Sequence, residues 1–529
     1  MAYPSTSTII QSLLAPTSYW GGSTITYSLP TTGSTWPGYG PGEEPTLADY
    51  GTLNAAQGVR FVAAIAAWDA VMATSFVQTN DLTQPGQLRV AFTDANAIDI
   101  DSDETDLWGF AYFPPFNGSA GSPLNGDIWI DADHKTSSFA AGSFDYGSLV
   151  HEIGHALGLK HPFEDGVTLD AAFDNQRFTV MSYTSPTDSI GYRITPTATG
   201  LSLQGYRVEP ETPMVFDILA IQARYGADLT TAAGATTYRW DTDRPFFMTV
   251  YDAGGIDTFD LSNQTRGSVV DLTPGAYSSI GQYSVAAQIA DLAARYGFSS
   301  FFQENMGKAS TYTWTDNVGI AFNTVIENII GSAYADTLLG NSAANDIQGG
   351  EGVGYLRGGD GNDVIRGGGA FDDAHGNAGD DTVYGGGGAD WVVGGRDNDQ
   401  LFGEAGDDIV YGNLGNDLGQ GGDGNDLIRG GQGDDLLFGG AGNDWMSGDR
   451  GNDTLTGGAG ADTFNTFGDA GIDRVLDFNS AEGDRVRFDP GTTWELAFVG
   501  GDAVISMTGG AQMILVGVSA ATIGDWLLA

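Results

Sequence analysis

Three of the five histidines in this 529-residue chain lie in one eleven-residue segment, from position 151 to position 161. His151 and His155 are four residues apart, so on a helix they share one face, about one turn apart. Two neutral imidazoles in this arrangement can bind a Zn²⁺ ion together. Glu152 lies between them, where a carboxylate can act as general base toward water on the metal.

The residues that follow provide a third ligand. Gly158 can adopt a positive φ that ends the helix and turns the chain sharply, which would bring His161 back to the same ion. Three protein ligands leave one coordination position open, which is typical of a catalytic rather than a structural zinc site. A helix that carries histidines by chance is the alternative, and it is weakened by the five fixed positions of the full pattern.

The extended pattern His-Glu-x-x-His-x-x-Gly-x-x-His resembles the metzincin clan of zinc endopeptidases, and Pro162 after the third histidine resembles the serralysin branch of that clan. Residues 179–183 resemble the Met-turn of the same branch. The resemblance implies that Met181 forms an apolar floor beneath the zinc. It also implies that Tyr183 is an additional, switchable zinc ligand and a catalytic hydrogen-bond donor, for which an ordinary core tyrosine is the alternative.

Two features depart from this family pattern. Phe163 follows Pro162 where a glycine is more usual, and residues 34–46 are longer and richer in glycine and proline than the family needs. Both lie around the expected site, so we expect them to affect specificity rather than the chemistry.

The substrate strand is a further implication of the resemblance. We expect a strand at residues 126–131, just upstream of the zinc helix. In the resembled family such a strand is the edge above the cleft, with which a peptide pairs by β-augmentation. A plain interior strand is the alternative. The substrate-binding residues expected on this basis are Gly126, Asp127, Ile128, Trp129 and Ile130.

The last third of the chain contains fifteen consecutive nonapeptides over residues 331–465. Glycines allow tight turns, an aspartate at the sixth place offers oxygen to Ca²⁺, and an apolar eighth residue points into a thin core. The pattern resembles the RTX parallel β-roll. The expected calcium ligands are the thirteen sixth-place aspartates: Asp336, Asp363, Asp372, Asp381, Asp390, Asp399, Asp408, Asp417, Asp426, Asp435, Asp444, Asp453 and Asp462.

Composition limits the classes of partner. The chain has 21 basic and 68 acidic residues, a net charge of −47, which argues against nucleic acid and favours cation binding. It has no cysteine, so disulfides and thiolate metal sites are excluded. No apolar run approaches the ~18 residues of a membrane span, and the N-terminus lacks the features of a Sec-type signal.

These patterns predict an α+β metzincin-type protease domain followed by an all-β domain with a parallel β-roll. We expect an N-terminal segment at residues 1–22, which is a candidate propeptide. It is followed by a protease domain at 23–235, a β-rich segment at 236–330, the repeats at 331–465 and a β segment at 466–529. Within the protease domain we expect a helix over 53–76 whose apolar face contains Val59 and Val62, and a helix over 213–225. The acidic loop 94–106 could bind Ca²⁺, although a solvated loop is the simpler interpretation.

The predicted function is that of a secreted, calcium-dependent zinc endopeptidase with one catalytic Zn²⁺ and several structural Ca²⁺ ions. The alternative is a calcium-dependent surface or adhesion protein with an inactive protease-like domain. The resemblance implies extracellular, bacterial localisation through a type I secretion apparatus, which would read the acidic and apolar tail 525–529. It further implies a protein or peptide substrate, a proteinaceous inhibitor as a possible partner, no membrane insertion and a monomer.

Overall fold

The structure is a computed structural model, and it describes residues 3–47, 49–95, 107–119, 121–164, 166–198, 200–523 and 526–528. Most of the acidic loop 94–106, with its suggested calcium binding, lies outside the described residues, as do Asp525 and Ala529 of the tail. Among the described residues, no helix has the length and apolar character needed to cross a membrane.

The N-terminal part combines a mixed sheet with four helices. The helices are α1 (Thr6–Leu13), α2 (Ala55–Asp69), α3 (Phe144–Ala156) and α4 (Val215–Tyr225). The strands are β1 (Thr24–Ser28), β2 (Ser75–Gln78), β3 (Leu88–Thr93), β4 (Gly109–Ala111) and β5 (Asp127–Asp131), with short 3₁₀ turns at Glu44–Thr46 and Ala132–Thr136. A two-stranded hairpin, β6 (Ile190–Thr197) and β7 (Gly200–Arg207), precedes α4.

The expected substrate strand is not an edge strand. The sheet order is β2-β1-β3-β5-β4, so β5 is hydrogen-bonded to β3 on one side and to β4 on the other. All five residues of β5 are buried, because a neighbouring strand pairs with each of its edges and both faces of the sheet are covered there. The expectation that residues 126–130 bind a peptide by β-augmentation is therefore wrong. The antiparallel edge of this sheet is β4.

The insertion at residues 34–46 covers one face of this sheet. Trp36 packs on Trp129 with 4.4 Å between ring centroids, and the Tyr39 hydroxyl donates a 3.0 Å hydrogen bond to Asp127. Arg89 of β3 lies over the Trp36 ring at 3.8 Å. These aromatic contacts explain why the polar-looking segment folds onto the sheet and why β5 is buried.

Helix α2 exposes part of the face that the sequence predicted to be buried, although Val62 on that face is half-buried against the core. Val59 is 67% exposed, whereas Phe61, Ala64, Ile65 and Trp68 are buried. Two apolar stripes compete on this helix, and the stripe with the large aromatic rings removes more apolar area from water. The helix also starts later and ends earlier than predicted, between an Asn54 capping box and Asp69. Helix α4 ends as predicted, at Gly226 with φ of 79°.

The C-terminal part is a parallel β-solenoid, as predicted, preceded by a β-rich segment. The strands of that segment are β8 (Thr237–Tyr238), β9 (Met248–Val250), β10 (Thr258–Asp260), β11 (Val269–Asp271), β12 (Tyr277–Ser278), β13 (Val318–Ile320) and β14 (Asn328–Ile330). The strands of the repeats are β15 (Asp336–Leu339), β16 (Asp346–Gly350), β17 (Gly354–Asp360), β18 (Val364–Gly368), β19 (Asp372–Ala378), β20 (Thr382–Gly387), β21 (Trp391–Arg396), β22 (Gln400–Ala405), β23 (Ile409–Leu414), β24 (Leu418–Asp423), β25 (Leu427–Gln432), β26 (Leu436–Ala441), β27 (Trp445–Arg450), β28 (Thr454–Ala459) and β29 (Thr463–Thr466). The final strands are β30 (Ile472–Val475), β31 (Arg485–Phe488), β32 (Trp494–Val499), β33 (Asp502–Met507), β34 (Gln512–Leu515) and β35 (Leu527–Leu528).

Each coil of the solenoid consists of two nonapeptides. Successive repeat strands alternate between a 14-stranded and an 11-stranded sheet, and a strand pairs in parallel with the strand 18 residues further on, as Val364 pairs with Thr382. The eighth-place side chains, such as Ile365 and Val383, are fully buried between the two sheets. The array therefore has the thin apolar core that its period predicts.

Two helices interrupt the β-rich segment, and the sequence analysis did not predict them. They are α5 (Val285–Tyr296) and α6 (Ser299–Met306). The signal for α5 was present, because Ser284 caps its first turn and Gly297 ends it with φ of 83°. Both helices pack on the β6–β7 hairpin, which joins the two parts of the chain.

Helix α1 is integrated into the N-terminal core. Ile9 and Leu13 are fully buried. The backbone N–H of Lys160 donates to the Leu13 carbonyl at 2.7 Å, and Ala15 N–H donates to the Gly158 carbonyl at 3.0 Å. The first 22 residues thus contact the turn that precedes His161.

We predict that Leu13→Ala lowers the free energy of unfolding by about 2–5 kcal/mol, because a fully buried leucine leaves a cavity against the loop that carries His161. Thermal or denaturant unfolding of the purified protein measures this loss. Gln11→Ala on the exposed side of α1 is the matched control and should change stability by less than about 0.5 kcal/mol. Equal stability of the two variants would show that α1 is not part of the folded unit.

Candidate metal centres

Helix α3 and the turn after it bring the three histidines together. Ser143 caps the start of α3 by accepting a hydrogen bond from the backbone of Tyr146, which fixes the first turn. The Nε2 atom of His161 lies 3.0 Å from Nε2 of His155 and 3.2 Å from Nε2 of His151. Tetrahedral ligation at zinc–nitrogen distances of 2.0–2.1 Å requires nitrogens roughly 3.3 Å apart, so the spacing fits Zn²⁺.

Gly158 is required at the turn, as the sequence predicts. Its φ is 97°, a conformation that favours glycine, and an added Cβ atom would come within 2.4 Å of the Ser18 carbonyl oxygen. The tight turn explains how His161 returns to the helix face that carries the other two histidines.

The hydrogen bonds of the imidazoles direct their lone pairs to one point. The Nδ1 atoms of His151 and His155 lie 2.7 Å and 2.8 Å from the carbonyl oxygens of Val180 and Leu159. Each Nδ1 must donate there, so each Nε2 carries a lone pair. His161 is held in the same way by the carboxylate of Glu164.

Protons do not occupy the Nε2 lone pairs of His151 and His155 near neutral pH. Burial lowers the pKa of His151 to about 3 and holds the pKa of His155 well below its usual range. Among the described residues, this triad is the one group of three or more histidine, aspartate or glutamate side chains whose ligand atoms all lie within 4.8 Å of one another. Three neutral nitrogens with convergent lone pairs are the donor set of a zinc site.

The Met-turn lies directly beneath the triad. Met181 is fully buried, and its Sδ atom would be 2.6 Å from a Cβ atom at Gly154, so only glycine fits on the helix between the two ligands. Asp217 of α4 accepts hydrogen bonds from Thr179 Oγ1 at 2.6 Å and from the Val180 backbone at 2.7 Å. Asp217 therefore holds the carbonyl that orients His151, a residue that sequence reasoning missed.

Glu152 faces the cleft without a partner. Its side chain is 6% exposed, and Oε2 has no hydrogen bond within the part of the chain that the structure describes. Burial raises the pKa of Glu152 to about 8. Glu152 and His151 line a cavity of about 420 Å³ that also contacts Tyr183. A buried carboxylate beside a cavity and a metal site is the arrangement of a general base.

Tyr183 lies over the histidines, and its side chain is 53% exposed. Its ring is stacked on His151, with centroids 5.6 Å apart, and is 4.5 Å from the His161 ring. Phe163 lies parallel to His161 at 5.1 Å and 5.4 Å from Tyr183. The residue that departs from the family pattern thus belongs to the aromatic surroundings of the third ligand.

The sixth-place aspartates form a ladder along the roll. The Oδ1 atom of Asp381 accepts a 2.8 Å hydrogen bond from the backbone of Asp363, eighteen residues earlier, and the next coils repeat this bond. Their Oδ2 atoms are buried and have no hydrogen-bond partner among the described residues in Asp363, Asp372, Asp381, Asp390, Asp399, Asp408, Asp417, Asp426, Asp435, Asp444, Asp453 and Asp462. Buried anionic oxygens require a cation, and hard oxygen donors suit Ca²⁺.

The ladder changes at both ends. At the start, Asp336 Oδ2 accepts hydrogen bonds from Ser332, so its second oxygen already has a partner. At the far end, Asp473 and Asp484 accept from the backbones of Asp453 and Asp462 at 3.3 Å and 3.1 Å. The row therefore continues beyond residue 465, which the nonapeptide frame missed because the spacing there is 20 and 22 residues rather than 18.

Fold and site together define a class: an α+β domain with a three-histidine metal site, followed by a calcium-type β-roll. Comparison with known proteins is consistent with this class. The Matrixin family matches residues 49–183, and the serralysin C-terminal family of peptidase M10 matches residues 219–294. The RTX calcium-binding nonapeptide repeat matches six overlapping segments between residues 325 and 475.

Curated proteins that match part of this chain include serralysins. Serralysin C of Dickeya chrysanthemi is 34% identical over 194 residues, which are 32% of this chain and 37% of that protein. The serralysin of Photorhabdus luminescens is 29% identical over 263 residues, 44% of this chain and 48% of that protein. The chain thus spans between a third and a half of the length of the curated relatives it matches. The predicted resemblance to serralysin-like metzincins with RTX repeats is confirmed.

We predict that Ca²⁺ at millimolar concentration slows hydrogen exchange across the repeats of the full-length protein, and that Mg²⁺ does not, because Mg²⁺ demands tighter octahedral geometry. Asp399→Asn should raise the Ca²⁺ concentration needed for protection in the adjacent coils. Asp397→Asn, an exposed aspartate two residues away, is the matched control and should leave it unchanged. Full protection of the repeats in EDTA would contradict a calcium requirement.

Proposed function

We propose that this protein is a secreted, calcium-dependent zinc endopeptidase that hydrolyses peptide bonds in proteins. The observation that carries the proposal is the partnerless, buried carboxylate of Glu152 beside three convergent imidazole lone pairs, at the wall of an open cavity. The matches to the Matrixin family and to serralysins support the same reaction class.

The residues of the site have separate roles in peptide hydrolysis. His151, His155 and His161 would hold Zn²⁺, which as a Lewis acid polarises the scissile carbonyl and makes water more acidic. Glu152 takes a proton from the attacking water and returns it to the leaving amine. Tyr183, whose ring is stacked on His151 and tilted against His161, would donate a hydrogen bond to the oxyanion and could serve as an additional zinc ligand in the absence of substrate.

Strand β4 replaces β5 as the proposed substrate strand. It is the antiparallel edge of the sheet, and Gly109 at its start lines the same cavity as His151 and Glu152. An extended peptide that pairs with Gly109–Ala111 would place its backbone across the cleft. Main-chain pairing gives affinity without a sequence preference, so side-chain pockets must provide the specificity.

The remaining expectations follow the serralysin resemblance. We propose export by a type I secretion apparatus, inhibition by a small protein and action as a monomer. We further propose boundaries at residues 236, 331 and 466. We assign residues 3–22 to the protease unit and not to a removable propeptide, because α1 supports the turn before His161. A calcium-binding adhesion protein with an inactive domain is less favoured, because Glu152 and all three histidines are present.

We predict that Glu152→Gln lowers kcat for casein by roughly 10²–10⁴ and leaves zinc content unchanged, because the amide cannot accept the proton of water. Casein digestion and metal analysis of the same preparation measure both quantities. Glu304→Gln, at an exposed position of α6, is the control for the change of charge. A Glu152→Gln variant that digests casein at the wild-type rate would exclude this mechanism.

We predict that Tyr183→Phe reduces kcat more than it raises KM, with unchanged zinc content, because the hydroxyl stabilises charge that develops only in the transition state. Steady-state kinetics on a fluorogenic peptide separate the two constants. An effect on KM alone would assign Tyr183 to substrate packing instead.

A further inference from the structure

The β6–β7 hairpin is a part of the cleft that the family comparisons do not cover. The Matrixin match ends at residue 183 and the serralysin C-terminal match begins at residue 219, and the hairpin occupies Ile190–Arg207 between them. Arg207, the last residue of β7, lines the cavity that also contacts His151 and Glu152. The hairpin therefore contributes to the wall of the cavity at Arg207.

Arg207 is the one arginine or lysine among the described residues that line this cavity. The other walls of the cavity are the β4 edge, helix α3 and the Met-turn. Apart from Glu152, the residues of these walls are apolar or uncharged: Leu107, Trp108, Gly109, Phe144, Gly147, Ser148, His151, Gln176, Val180, Ser182 and Tyr183. An exposed guanidinium thus lines the same cavity as the proposed general base, in a protein whose net charge is −47.

Within the described residues, Arg207 takes part in no ion pair. Nearby Arg244 differs, because it is paired with Glu211. The closest acidic neighbour in sequence is Glu209, which is buried. Its Oε1 atom has no hydrogen-bond partner among the described residues. Burial raises the pKa of Glu209 and the charge of Arg207 lowers it by a smaller amount, but the two side chains form no ion pair. The guanidinium donors of Arg207 are therefore available to a ligand.

The hairpin is anchored, so Arg207 is not on a free loop. The backbone of Ile190 donates to Ser310 at 2.8 Å and accepts from Tyr312 at 2.9 Å, and the Tyr192 hydroxyl donates to Asn305 at 3.1 Å. A small separate core of Ile289, Phe302 and Met306 from α5 and α6 packs against the hairpin side chains Tyr192, Ile194, Leu201 and Leu203. Rigid support of this kind gives a binding residue a defined position.

We propose that Arg207 makes this cavity a pocket for an acidic side chain, aspartate or glutamate, of the substrate residue next to the scissile bond. The inference rests on the proposed function. Arginine presents planar donors that match a carboxylate bidentately, and such charge-assisted hydrogen bonds are the strong ones. Because Arg207 lines the same cavity as Glu152 and His151, the selected residue would be one that flanks the bond being cut.

The test compares peptides that differ only at the residues flanking the scissile bond, with Glu, Gln, Leu or Lys at one position at a time. The expected wild-type result is a kcat/KM about tenfold or more higher for Glu than for Gln at one of these positions. Arg207→Gln should reduce the ratio to near one. Arg207→Glu should shift the preference toward the Lys peptide, a gain that misfolding cannot produce.

Arg193→Gln is the control, because Arg193 lies on the same hairpin but does not line the cavity that contacts Glu152. It should leave the ratio of Glu to Gln peptides unchanged. An equal ratio in wild type and Arg207→Gln would overturn the inference. Cleavage of all peptides without an acidic preference would also overturn it but leave the proposed function intact, whereas no cleavage of any peptide or of casein would contradict the proposed function itself.

Discussion

The structure depends on buried donor atoms that no part of the described protein satisfies. Three imidazole nitrogens direct their lone pairs at one point, because their other nitrogens are held by two carbonyls and a carboxylate. Twelve aspartate oxygens in the roll are buried without a hydrogen bond among the described residues. Such groups are costly unless cations are present, so bound cations would stabilise the fold in both parts of the chain.

The zinc site is built from layers that extend well beyond the ligands. Asp217 on α4 holds the Met-turn, and the Met-turn presents the Val180 carbonyl that fixes the ring of His151. The N-terminal segment supports the turn that leads to His161. Each ligand is thus oriented by a different element of the fold, and ligand geometry should be sensitive to changes far from the metal.

The sequence was informative where chemistry fixes spacing. The triad was predicted from the four-residue spacing of His151 and His155 and the six-residue spacing from His155 across Gly158 to His161. The nine-residue period predicted the parallel roll. Both patterns are local in sequence. The missing information concerned packing between distant segments. The interior position of β5 depends on its pairing with β4, and its burial depends on Trp36, which comes from a remote part of the chain. The position of Arg207 at the cavity could not be predicted either, because the hairpin that carries it packs against α5 and α6, which lie about 80–120 residues further along the chain.

The most direct test of this account is X-ray absorption spectroscopy at the zinc edge of the full-length protein, purified in Ca²⁺. The account predicts one zinc per chain with three imidazole nitrogens at about 2.0–2.1 Å, and with oxygen completing the coordination. His155→Ala should lose one imidazole from the spectrum or lose the metal. A spectrum with fewer than three imidazoles in the wild-type protein, or a protein that binds no zinc, would contradict the account.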